Sequence, residues 1–188
     1  MIEILPYETR WPDEFRQIAA ALRSGLGELA LRIDHIGSTS VPGLAAKDVI
    51  DIQITVAAFD EQLHTAMTAL GYTQPESLVR DHIPQNDPRP ESEWEKWYFR
   101  PPPGQRRTNT HVRVQGRANQ RYALLFRDYL RTHPATAAAY AELKRRLAQY
   151  LADPEMYPEV KDPAVDLIYL AAEDWAAAVG WQPGASDA

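Results

Sequence analysis

The sequence predicts an α+β chain, in which a small set of strands shares its core with helices, and three observations carry that prediction. Residues 50–56 alternate, with Ile50, Ile52, Ile54 and Val56 on one face and Asp51, Gln53 and Thr55 on the other. Residues 108–115 repeat the pattern, with Thr110, Val112 and Val114 opposite Asn109, His111 and Arg113. The last third of the chain instead spaces its apolar residues three and four apart, as helices do.

The elements follow in order. Trp11-Pro12 opens a first helix, because proline suits the first helical turn and Phe15, Ile18, Ala19 and Leu22 then recur at helical spacing; Gly25 and Gly27 end it. Residues 31–36 are a short strand, and a turn at Gly37 leads into a short helix over Ser38–Ala46. After the strand at 49–56, Phe59, Leu63, Ala66, Met67 and Leu70 mark a helix that Gly71 caps. Periodicity is lost from Thr73 to Glu93, where prolines and charges collect, and a loop of that length is either a lid or a mobile surface segment. Trp94–Arg100 and Thr108–Gln115 are two strands joined by a proline-rich turn that carries Arg106 and Arg107. Three helices complete the chain, marked by Tyr122 to Tyr129, by Tyr140 to Leu151 after Pro134, and by Val165 to Val179 after Asp162-Pro163. The expected organisation is a single domain over residues 1–181, followed by a frayed tail over 182–188.

Composition narrows the functional classes. The 188 residues include no cysteine, so there is no disulfide framework, thiolate metal site or thiol nucleophile, and any metal is left to oxygen and imidazole ligands. A net charge of −6 argues against an extended nucleic-acid footprint. The sequence contains neither a signal-like segment nor an apolar run long enough to span a membrane, which points to a cytoplasmic protein without a membrane partner.

The segment Gly37-Ser38-Thr39-Ser40, with Asp51 on the strand behind it, is the main chemical signal. Glycine lets backbone approach a ligand closely, and hydroxyls and amides at the start of a helix hold phosphate oxygens, so the pattern points to phosphate chemistry near Asp51. The hydroxyls serve equally well as caps of the next helix. Lys47 either neutralises phosphate or carries an ordinary exposed charge. His35 braces the turn or faces the cleft.

Tyr7, Trp11-Pro12, Phe15, the block His35-Ile36-Gly37-Ser38-Thr39-Ser40-Val41-Pro42-Gly43-Leu44-Ala45-Ala46-Lys47, Ile50-Asp51-Ile52, His111, Phe126-Arg127-Asp128-Tyr129-Leu130, Tyr140 and Leu143-Lys144 resemble the GrpB-like family of the nucleotidyltransferase superfamily. The resemblance implies a nucleotidyltransferase-like fold, a small mixed β-sheet packed with helices. It implies a nucleoside triphosphate held at Gly37 and Ser38, and Asp51 as first ligand of Mg2+ or Mn2+. The implied reaction is transfer of a nucleotidyl group to a small-molecule acceptor. The chain departs from the superfamily pattern at Gln53, where a second carboxylate is normal, and a third is missing from the strand that carries His111 and Arg113.

Several roles stay open at this level. Gln53 offers a neutral oxygen but no charge. His111 serves as a general base, as a metal ligand with His35 and Asp51, or as a structural group that orients substrate. Arg113 either pairs with Asp51 or clamps a phosphate, and the clamp is the preferred role. Arg127 and Lys144 are surface ion-pair residues or substrate contacts. Three functions follow: a metal-dependent nucleotidyltransferase, a degenerate domain that only binds a nucleotide or phosphometabolite, and a hydrolase built on a His/Asp metal site.

Overall fold

The computed structural model describes residues 2–76 and 79–188, so Ser77 and Leu78 of the expected lid lie outside the described residues. Helix α1 (Trp11–Leu26) starts at the predicted proline and stops at Gly27, whose φ of +52° turns the chain out of the helix. Strand β1 (Arg32–Ile36) pairs antiparallel with β2 (Ile50–Val56), and α2 (Glu61–Ala69) follows, capped by the Asp60 carboxylate accepting from Leu63 N–H at 2.8 Å. Strands β3 (Trp97–Phe99) and β4 (Thr108–Val114) close the sheet. Its order is β1-β2-β4-β3, with β2 and β4 parallel and the outer pairs antiparallel, which makes it the mixed sheet expected. Helices α3 (Ala118–Thr132), α4 (Pro134–Tyr150) and α5 (Tyr157–Val179) form the helical last third.

Strand alternation decides what lies on each side of the sheet. Ile33, Ile50, Ile52, Ile54 and Val56 pack with the apolar faces of α1 and α2 into one buried cluster. The second cluster joins Val41, Leu44 and Ala45 to α3, α4 and α5 on the other side. The polar row of β2 and β4 therefore lies under α3–α5. Gln53, with none of its surface exposed, donates from Nε2 to the Gln120 carbonyl of α3 at 3.1 Å and ties the two layers together. Among the described residues no helix is long and apolar enough to cross a membrane.

Three local expectations give way. Ser38–Ala46 forms no helix beyond a single 3-10 turn at Ser38–Ser40. Pro42 holds Val41 extended at φ −103°, ψ 112°, and Gly43 reverses the chain at φ +79°. Helix α5 begins at Tyr157 rather than after Asp162. Pro158 occupies its first turn, and Pro163 sits inside the helix at the cost of one intrahelical bond. Residues 186–188 are not frayed, because they lie along the open edge of β1 and use backbone groups that an edge strand leaves unpaired. Ile33 N–H donates to Ser186 Oγ at 2.9 Å, His35 N–H to Asp187 Oδ2 at 2.9 Å, and Ala188 N–H to the Ile33 carbonyl at 3.1 Å.

Candidate functional site

The antiparallel register sets Ile36 opposite Asp51, so the turn that leaves β1 at Gly37 closes directly over the Asp51 side chain. Gly37 has φ +69° and ψ −170°. A Cβ on Gly37 would come within 2.9 Å of Asp51 Cγ and 3.0 Å of its Cβ, and closer still to Oδ2. Glycine is therefore required by the approach as well as by the backbone angle. Asp51 Oδ1 accepts from Asn109 Nδ2 at 2.7 Å, and Asn109 Oδ1 in turn accepts from the Tyr98 hydroxyl at 2.8 Å. Asn109 is the register partner of Asp51 on β4, so the parallel pairing alone fixes the carboxylate. Burial raises the Asp51 pKa despite that bond and the nearby cations.

Two adjoining cavities open above this floor and share Ser38, Asp51, His111, Tyr140 and Lys161. The first, about 260 Å³, is walled by Trp94, Tyr122, Phe126 and Tyr140. The second, about 470 Å³, gathers Lys47, Lys96, Arg107, Lys144 and Lys161, and Asp51 is the one carboxylate in its lining among the described residues. Lys144, 3% exposed, donates from Nζ to Ser38 Oγ at 2.8 Å and to the Ala45 carbonyl. Burial, together with the neighbouring Lys161, lowers its pKa to about 7. Lys47 lies with its ammonium 3.8 Å from the centroid of the Tyr157 ring.

His111 lines both cavities. Its Nδ1 is buried without a hydrogen-bond partner, and the ring meets Tyr98 edge-on at 5.5 Å. Burial, with Arg113 and Lys96 nearby, holds its pKa well below the ordinary histidine value, so the imidazole is neutral. A neutral ring with so low an affinity for protons orients a ligand better than it abstracts a proton.

The remaining sequence candidates divide. Thr39 lines the second cavity, whereas Ser40 turns back to donate to the Gly37 carbonyl at 2.6 Å and so shapes the turn from within. Arg113 is not free to clamp a phosphate. Its Nε and Nη2 donate to Asp81 at 2.8 and 3.0 Å, and its Nη1 donates to Gln53 Oε1 at 2.6 Å. Gln53 is thus committed to holding Arg113 and α3. Arg127 lies outside both cavities, buried between the His35 carbonyl at 3.1 Å, Asp128 at 2.7 Å and Asp187 at 2.8 Å, where it fixes β1 and the tail.

The His35–Asp51–His111 metal site is overturned. His35 pairs with Ile52 and shares the core face with Ile33, stacking on Phe15 at 4.7 Å and bonding Thr39 Oγ1 through Nε2 at 2.9 Å. Burial and two arginines lower its pKa to about 3, which keeps it neutral and structural. Asp34 does share the polar face with Asp51, but Arg32 holds its carboxylate at 2.8 and 3.0 Å. No group of three His, Asp or Glu among the described residues could hold a metal ion. The donors beside Asp51 are the amide of Asn109 and the neutral ring of His111, backed by lysines. That set does not fit the paired-carboxylate clamp for two ions.

Sequence reasoning missed Asp81, Lys96 and Lys161. Asp81 drops from the irregular segment into the first cavity, where Arg113, Lys96 at 2.7 Å and Asn119 at 3.0 Å surround it. Burial alone would raise its pKa, but Arg113 and Lys96 outweigh burial and lower it. A depressed aspartate contributes stability above its unfolded value of about 3.9 and loses it as pH falls toward the folded value. Urea unfolding between pH 5 and 3 is therefore expected to show falling stability, and Asp81→Asn is expected to start lower and flatten that slope. An unchanged slope in the variant would remove Asp81 from the account.

The family model described as "GrpB protein" matches residues 1–170. A protein named dephospho-CoA kinase from Mycolicibacterium paratuberculosis (strain ATCC BAA-968 / K-10) is 38% identical over 97% of this chain, which spans 48% of that relative. The chain thus spans about half the length of the first curated relatives it matches. The crystal structure of the conserved protein GrpB from Enterococcus faecalis superposes with a TM-score of 0.70 at 29% identity, covering 92% of this chain and 99% of that one. Cid1 in complex with its short product ApU superposes with a TM-score of 0.51 at 14% identity, covering 77% of this chain and 43% of Cid1, a likeness of fold alone. The sheet and its helices form a nucleotidyltransferase-like fold.

Proposed function

The chain belongs to the GrpB family, and from that premise we propose that its cleft binds a nucleoside triphosphate and transfers the nucleotidyl group to a small acceptor. The observation that carries this reading is the convergence of the Gly37–Ser38 turn, Asp51 and a lysine-rich cavity on one point. The phosphates lie in the cationic cavity and the nucleoside against the aromatic walls of the other, so the α-phosphorus falls beside Asp51. An acceptor hydroxyl attacks that phosphorus, the bond to pyrophosphate breaks, and the hydroxyl proton passes to the Asp51 carboxylate, whose raised pKa suits it to receive one. His111 orients the acceptor, and the lysines stabilise the departing pyrophosphate.

A second reading, a domain that binds the nucleotide without turnover, is favoured by Gln53, which fills the second acidic position and is fully engaged in structure. The kinase name of the mycobacterial relative is not carried over. None of the nine glycines here is followed by another after four intervening residues, so the phosphate-loop pattern of P-loop kinases does not occur.

Asp51→Asn separates the two readings. Pyrophosphate release is expected with a mixed pool of small metabolites as acceptor, to fall at least roughly a hundredfold in the variant, by analogy with loss of a general base. Because Asp51 is raised by burial, its charge costs folding stability at neutral pH, and the variant is expected to unfold no earlier than the parent. Binding with no release from either protein supports the second reading, and failure to bind any nucleotide sinks both.

A further inference from the structure

We propose that the larger cavity is a polyphosphate site in which side-chain cations take the place of a divalent metal, so that tripolyphosphate or a metal-free nucleoside triphosphate binds it directly. The inference rests on the reading of the cleft as a triphosphate site and adds what neutralises the ligand.

The argument begins from charge. Although the whole chain is acidic, with a net charge of −6, this one cavity collects five cations against a single carboxylate in its lining, and of the five Lys96 is paired with Asp81 and Lys161 with Asp162 from outside it. They arrive from five separate places in the chain: Lys47 before β2, Lys96 before β3, Arg107 before β4, Lys144 on α4 and Lys161 on α5. Among the described residues, Lys47, Arg107 and Lys144 have no carboxylate within ion-pair distance. An ammonium as buried as Lys144 is costly without an opposite charge, and a hydroxyl, a carbonyl, the face of Tyr140 and the nearby Asp51 carboxylate, which forms no direct ion pair with it, offset that cost only in part. Its position is informative as well. The Lys144 ammonium grips Ser38, the residue that follows the glycine facing Asp51, so an anion resting on the Ser38 turn meets the ammonium at once.

The donor set points the same way. A nucleotide delivered as its metal complex is received by one or two carboxylates, and here Asp51 stands alone beside an amide and an imidazole. It needs few lysines, because the ion has already cancelled much of the phosphate charge. Here the proportions are reversed, which is the composition expected of a site that meets the phosphates with its own cations.

Isothermal titration of the full chain with ATP and with inorganic tripolyphosphate, each in EDTA and in excess MgCl2, tests the inference. Both ligands are expected to bind in EDTA, at least as tightly as with magnesium, and to weaken steeply with added NaCl. Lys144→Met is expected to weaken both by roughly tenfold, with Lys144→Arg retaining most of the affinity. Should Lys144→Met fail to fold, Lys47→Ala and Arg107→Ala, on the cavity wall, are each expected to weaken tripolyphosphate by roughly threefold or more. Binding of ATP only when magnesium is present overturns the metal-free site and leaves the nucleotide reading standing. Tripolyphosphate binding in EDTA with no ATP binding under either condition does the reverse. Unchanged affinity in all the charge variants overturns the site.

Discussion

Gly37→Ala is expected to abolish nucleotide binding and to lower the melting temperature by roughly 5–10 °C. Two independent penalties act at this position. The backbone angles of φ +69° and ψ −170° lie in a region that is almost exclusively glycine's, which costs a side-chain-bearing residue on the order of 1–3 kcal/mol. The added methyl would also press into the Asp51 carboxylate, which cannot retreat because Asn109 holds its other oxygen. Relief comes only by lifting the turn off β2, and that carries Ser38 and the grip of Lys144 away from the carboxylate. Thermal denaturation with nucleotide titration checks both parts. A variant that melts normally and binds normally would show that the turn has slack the geometry denies.

Arg113→Met is expected to destabilise the protein by about 2–3 kcal/mol in urea unfolding, because it removes the two-pronged partner of a buried carboxylate and leaves Lys96 alone to neutralise it. Arg113 is 6% exposed and makes three charge-assisted bonds, two to Asp81 and one to Gln53. Without it, Asp81 keeps Lys96 and Asn119, but Gln53 loses its acceptor's partner and the segment around Asp81 loses its firmest attachment to the sheet. The double variant Asp81→Leu/Arg113→Met removes both charges but leaves the Lys96 ammonium buried without its carboxylate, so much of the loss is expected to return only when Lys96→Met is added. A single variant of unchanged stability that has lost nucleotide affinity would restore the phosphate-clamp role to this arginine.

These two residues also mark where the sequence is informative and where it is silent. Alternation in 50–56 and 108–115 places Asp51, Gln53, Asn109, His111 and Arg113 on one side, and the parallel register brings them together as a polar floor. The same alternation already held the answer for His35. It shares parity with Ile33, an apolar residue on a strand of five, and so belongs to the core face rather than to the cleft. Asp81 and Lys96 were not legible, since they lie on or beside a segment with no period, and nothing local says which way an irregular segment folds back. Lys161 carries no signal beyond being a charged residue near a helix start. Lys144 reads from sequence as either one half of a surface ion pair or a substrate contact, and only packing of α4 against the Ser38 turn shows that its ammonium is buried. The short helix expected after Gly37 failed for a readable reason, the Pro42-Gly43 pair, whose stop signal outweighs the run of hydroxyls before it.

The floor of the cleft comes from the Gly37–Ser38 turn with β2 and β4, and its roof from α3, α4 and α5, so the cavity exists only when distant parts of the chain have docked. A partly folded chain holding the sheet alone would present Asp51, Gln53 and Arg113 to water with no roof over them. Any ligand seated there bridges the sheet to α4 and α5, and its binding free energy is then shared by the whole molecule rather than by one layer. Occupancy of the cleft thereby couples the two buried clusters into one cooperative unit, in which the helical third cannot peel away while the ligand stays.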